Sequence, residues 1–199
     1  MQFEFHPVTP ERWHDFERLF RESASTTEGE PAVCWCMEWR ISRDDWEKGR
    51  GEGNRRAMQS LVESGTVPGI LAYADGEPAG WCSISPRAQH GGLQTVAQYR
   101  NFENPSVWLV SCFYISEKYR GQKLMRGLLE AGVAYAQSNG ASVIEGYPID
   151  EATDLRPQAG LVAYYWGRAS VFHALGFVEI ARVPQDNRPV MRKRLDTDR

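Results

Sequence analysis

The stretch "EKYRGQKLMRGLLEAG", residues 117–132, directly follows the apolar run "VWLVSCFYI". It puts Arg120, Gly121, Gln122 and Lys123 in a turn between a strand ending at Ser116 and a helix starting near Leu124, with Arg126 close behind. The first amides of a helix lack carbonyl partners and carry the positive end of its dipole, so such a turn favours an anion. Gly121 permits a close backbone approach, and the three cations around it suit a diphosphate or a phosphate monoester. A plain strand-to-helix connection with solvated basic side chains has the same local pattern, and the local physics leaves both readings open. Glu145 interrupts the apolar strand "SVIEGYPI", where an acid is costly unless it is paired. "CWC" at 34–36 has the ligands to begin a zinc site, but no second Cys/His pair stands at the usual spacing. Cys34, Cys36, Cys82 and Cys112 are therefore expected to be reduced, with Cys82 and Cys112 as small apolar strand residues.

The elements that must carry these residues follow from periodicity. "FEFHPV" alternates as a strand, and "TPERWHDFERLFRES" is a helix with Thr9 as N-cap, Pro10 at its first position, and Trp13, Phe16, Leu19 and Phe20 on one face. Residues 24–53 hold "SASTTEGEP", "CWCMEWR" and "KGRGEGNRR" and read as an insertion of loop or short helix, before a helix in "RRAMQSLVESG". "GILAYADGEPAGWCSIS" is a hairpin turning at Asp75-Gly76. A buried strand, "NPSVWLVSCFYIS", leads through the basic turn to a helix that stops at Asn139-Gly140. The strand around Glu145, a loop from Asp150 to Gly167, the helix "RASVFHALG" and a closing hairpin complete an α/β domain with a mixed sheet. One domain over 1–199 suits a chain that is 42% hydrophobic and 25% charged. A net charge of -3 argues against nucleic acid or an anionic membrane as partner. The first residues show no leader pattern and no apolar run nears the roughly 20 residues of a membrane span, so the cytoplasm is the expected location.

The segments together resemble the GNAT N-acetyltransferase superfamily. The family's coenzyme A loop, Arg/Gln followed by two residues, Gly, one residue and Gly/Ala, is matched in part by Arg120, Gly121, Gln122, Lys123, Leu124 and Met125, with Lys123 and Met125 where the family prefers small residues. "FHALGFVEIAR" is similar to the family's last helix, Leu-Gly-Phe turn and following strand, and the likeness is closest over residues 68–195. "CWCMEWR", "EGYP" and "PVMRK" resemble a bacterial GNAT-like group whose substrates are unassigned. The resemblance implies a mostly antiparallel central sheet, helices on both faces, and a splayed parallel strand pair at its centre.

It further implies acetyl-CoA as cosubstrate and direct transfer of its acetyl group to a primary amine of a small molecule or peptide. Backbone groups of Phe113, Tyr114 and Ile115 would pair with pantetheine, and Arg120 to Arg126 would hold the phosphates. Glu145 is the leading general base, ahead of His90 and His173, with an Arg-paired structural role as its alternative. The family's thiolate-protonating Tyr, four residues before the turn glycine, is here Phe172, so Tyr164, Tyr165 or Tyr147 must take that role or leave it to solvent. Trp35, Glu38 and Trp39 would roof the amine site through cation–π contact, or else form a satellite core. The missing Tyr and the bulk at Lys123 and Met125 motivate a second reading, an acyl-CoA-binding or regulatory module that has lost catalysis. A homodimer stays open.

Overall fold

A computed structural model of the chain describes residues 2–23, 30–95, 107–151, 165–184 and 187–195. Its strands are β1 (Phe3–Pro7), β2 (Gly69–Ala74), β3 (Glu77–Pro86), β4 (Val107–Ile115), β5 (Val143–Gly146), β6 (Val178–Arg182) and β7 (Pro189–Arg194). They form one sheet in the order β1-β2-β3-β4-β5-β7-β6, and among these neighbours only β4 and β5 run parallel. Asp75 and Gly76 both take positive φ, 51° and 80°, the two-residue turn that matches the twist of a hairpin.

The helices are α1 (Trp13–Ser23), α2 (Glu30–Cys34), α3 (Arg43–Lys48), α4 (Glu52–Glu63), α5 (Gly91–Thr95), α6 (Leu124–Ser138) and α7 (Ala169–Ala174). Strand alternation sorts the core into two layers. Cys82 and Phe113 pair across β3 and β4 and pack under Leu124, Leu128 and Leu129 of α6. Their neighbours Trp81 and Tyr114 face the other way, onto Phe16, Leu19 and Phe20 of α1. Trp35, Met37 and Trp46 join that second layer, so the described part of the insertion lies on the α1 side. Buried Asn54 ties it together, its Nδ2 donating to the carbonyls of Val33 (3.2 Å) and Trp46 (3.3 Å).

Helix α5 is absent from the sequence expectations; it is five residues long and opens on Gly91-Gly92, poor helix formers. Its glycine serves a close approach: a Cβ on Gly92 would lie 2.1 Å from the Ile41 carbonyl oxygen. The Leu93 amide donates to the Trp39 carbonyl at 3.2 Å, so α5 buttresses the segment that follows α2.

The centre of the sheet opens. β4 and β5 pair from Val107 with Val143 to Val110 with Gly146; β5 then ends while β4 runs on to Ile115. Beyond the gap, Ile149 bridges Arg168. Phe172 fills the base of the opening, its ring where a Cβ on Gly146 would come within 2.5 Å, and it meets Phe113 edge to face at 6.3 Å. Gly167, at φ 83°, leaves similar room for the Phe113 ring.

Candidate active site

At the wide end of the opening, β4 passes through a short turn at Glu117–Tyr119 into Arg120–Lys123 and α6. Gly121 (φ 75°) and Lys123 (φ 61°) flank Gln122, which has negative φ. Alternation of this kind turns successive amides toward one concave side. Among the described residues, the amides of Leu124 and Met125 find neither a capping side chain nor a carbonyl. The Leu124 and Met125 side chains are buried in the α6 layer, so the bulk of Met125 lies in the core rather than in the turn. Arg120 Nε donates to the Ile115 carbonyl at 3.1 Å and Gln122 Nε2 to that of Lys118 at 3.1 Å, fixing the turn to the strand end. Lys123 and Arg126 are exposed, and a Cβ on Gly121 would meet nothing within 4 Å. Backbone donors, positive charge and open space coincide here, which suits a phosphate group.

On the α1 side of the same strand lies a cavity of about 210 Å³. Ser83 pairs with Cys112 and Ile84 with Val110, which leaves Ser111 as the extra residue of a bulge where the strands begin to part. A bulge re-aims side chains, and here Ser111 and Cys112 both reach the cavity. Phe20, Cys34, Tyr114, Tyr165 and Trp166 supply further walls. Left-handed Trp35 (φ 49°) and Cys36 (φ 52°) turn the chain after α2 so that Cys36, Glu38 and Trp39 also line it. Arg43 Nη1 donates to Glu38 at 3.4 Å.

Behind the bulge is a buried polar network. Arg40 donates to Ser85 Oγ (3.2 Å), Ser83 Oγ (3.1 Å) and the Pro68 carbonyl (2.8 Å). Ser111 Oγ donates to Ser83 Oγ at 2.9 Å, and His90 Nε2 lies 3.2 Å from Ser111 Oγ. Burial first, then the Arg40 charge, holds the His90 pKa well below its ordinary value, although the Pro86 carbonyl favours the protonated ring. A Ser–His nucleophilic pair must form an imidazolium. Beside the Arg40 guanidinium that ion is disfavoured, and the network serves to fix the bulge.

A profile of the acetyltransferase (GNAT) family matches residues 13–165. The chain belongs to the GNAT acetyltransferase family. Solved structures share its fold at low identity. PaiA N-acetyltransferase from Thermoplasma acidophilum, in complex with coenzyme A, is 13% identical over 98% of this chain and 100% of its own, with a TM-score of 0.54. YncA, a putative acetyltransferase from Salmonella typhimurium with acetyl-CoA, is 16% identical over 98% and 95%, with a TM-score of 0.55. Aminoglycoside acetyltransferase AAC(6')-Ib, in complex with coenzyme A, is 16% identical over 97% and 95%, with a TM-score of 0.57. A search of curated proteins returned no match.

Within this GNAT domain the residues singled out by sequence divide. Glu145 does not line the cavity: it is fully buried and holds both Arg192, whose Nε donates to it at 2.8 Å, and Arg87 at 3.4 Å. It sits opposite Arg192 on β7, so the ion pair follows from sheet register. Tyr147 accepts a hydrogen bond from Arg87 at 2.7 Å and lies outside the cavity walls. Tyr165 is in the cavity wall, and Tyr164 lies outside the described residues. Trp35 stacks on Phe20 at 5.4 Å inside the α1 layer and is core, whereas Glu38 and Trp39 reach the cavity. Tyr114, taken from sequence for its backbone alone, also presents its ring there; Phe113 and Ile115 pack toward α6. Among the described residues no group of three His, Cys, Asp or Glu is placed to hold a metal ion. His173 is exposed on α7, away from the cavity. Sequence reading missed Ser111, Arg40 and Trp166; a polar pair, Ser111-Cys112, within an apolar strand was the available signal for the first.

Proposed function

We propose that this GNAT domain transfers the acetyl group of acetyl-CoA to a primary amine within a ternary complex. One observation carries the reading: the free stretch of β4 beyond Val110 joins the phosphate-suited turn at its end to the cavity at its bulge. Acetyl-CoA supplies an activated acyl thioester and a thiolate leaving group. The amides from Gly121 to Met125, with Arg120, Lys123 and Arg126, hold its phosphates, and the backbone of Phe113, Tyr114 and Ile115 pairs with pantetheine. Backbone amides facing the opening stabilise negative charge on the carbonyl oxygen.

Glu38 takes the base role assigned by sequence to Glu145, because among the described residues it is the carboxylate that lines the cavity. It removes the ammonium proton, the amine nitrogen then bonds to the acyl carbon, and the carbon–sulfur bond breaks. Tyr165, in the cavity wall, returns a proton to the thiolate, the role that Phe172 lacks a hydroxyl to perform. Loss of a general base lowers rates by roughly 10²–10⁴-fold. Glu38→Gln should therefore cut kcat/KM about 100-fold or more in a thiol-release assay and remove the low-pH limb of the profile, with acetyl-CoA affinity unchanged. An unchanged profile would remove Glu38 as base.

A further inference from the structure

The cavity at the β4 bulge also limits what amine the transferase just proposed accepts, and this inference rests on that reading. Its volume of about 210 Å³ falls below the roughly 300–1,000 Å³ of sites for drug-sized ligands. The walls are the rings of Phe20, Trp39, Tyr114, Tyr165 and Trp166 and the thiols of Cys34, Cys36 and Cys112. Burial pushes the Cys34 thiol up to about 12, and the adjacent Cys36 together with burial raises Cys112, so those two thiols stay neutral.

Among the described residues of the wall, charge is confined to one place. Glu38 is the carboxylate among the described wall residues, and Ser111, whose proton is directed to Ser83, offers oxygen lone pairs to the same cavity. Below the floor, Arg40 is buried and has no carboxylate partner among the described residues, so the floor repels a second ammonium. A polyamine or an amino sugar would bring several polar groups against aromatic walls, and each one buried unpaired is destabilising. A single amine at Glu38 and Ser111 with a flat apolar body among the rings leaves none unpaired.

We propose that the acceptor is an arylalkylamine, one primary amine on a short chain bearing a single aromatic body. The full chain would be assayed with acetyl-CoA for thiol release using 2-phenylethylamine, spermidine and kanamycin, with amine binding followed separately by ligand-observed NMR. The expected result is a kcat/KM for 2-phenylethylamine at least roughly tenfold above either competitor, in line with the discrimination apolar pockets give. Trp39→Ala, which removes one wall, should weaken 2-phenylethylamine binding and narrow that preference. Acetyl-CoA binding with spermidine or kanamycin preferred would overturn the acceptor class while leaving the transferase reading intact, as would failure of 2-phenylethylamine to bind the acetyl-CoA-loaded protein. Absence of acetyl-CoA binding would instead overturn the transferase reading and the inference with it.

Discussion

Glu145 bridges Arg87 and Arg192 from a site with no solvent access. Removing one partner of such a group leaves the others charged and uncompensated, at a cost of about 3–5 kcal/mol. Glu145→Gln should therefore lower the unfolding free energy from urea titration by that amount, while the turnover of the remaining folded enzyme stays near that of the parent; a large loss of turnover at unchanged stability would favour a catalytic role. His90 makes a prediction in pH. Its folded pKa is depressed by burial and by Arg40, so below its unfolded value of about 6.5 the unfolded chain binds a proton that the native chain does not. Stability from this group is complete above that value and falls as pH drops toward the folded pKa. Urea midpoints at pH 7.5 and 5.5 should differ more for the parent than for His90→Gln, and equal differences would contradict it. At this scale, chemistry was visible in the sequence but partnership was not. An acid in an apolar strand showed that Glu145 was unusual; only the register of β5 on β7 shows that Arg192 stands opposite it.

Among the elements, the segment carrying Glu38 and Trp39 owes its place to two neighbours, α2 before it and α5 beneath it. Gly92 makes the second contact possible, since any Cβ there collides with the Ile41 carbonyl. Gly92→Ala should displace α5, costing about 1–3 kcal/mol as overpacking does. In the transferase reading it should also raise the KM for amine while leaving acetyl-CoA affinity alone, which steady-state kinetics and calorimetry would separate. A change confined to acetyl-CoA affinity would mean that this segment does not shape the amine site. The strand-turn-helix around Arg120 and the Asp75-Gly76 hairpin were legible because period, charge and turn residues agree locally. The Ser111 bulge and α5 were not, because each depends on a partner distant in sequence: β3 for the bulge, the 38–41 segment for the helix.

For the whole molecule, the sheet order and the single parallel pair put two unlike surfaces at one opening, a cationic turn at the end of β4 and an apolar cavity at its bulge. The fold was readable from sequence because its signals are spread over many segments, whereas the cavity is built from side chains of α1, α2, the segment after α2, β4 and residues 165–166 that only the tertiary arrangement gathers. Among the described residues no helix is long and apolar enough to cross a membrane. The central claim is that the turn at Gly121 holds acetyl-CoA for reaction at that cavity. Its most direct test is a calorimetric titration of acetyl-CoA into the parent chain and into Gly121→Val, with the fold of the variant checked by circular dichroism. A Cβ at Gly121 meets only open space, so a branched side chain there obstructs a ligand rather than the core, at an added backbone strain of roughly 1–2 kcal/mol. Saturable binding to the parent and at least about tenfold weaker binding to the folded variant is the predicted result; no binding to the parent, or equal binding to both, would contradict it.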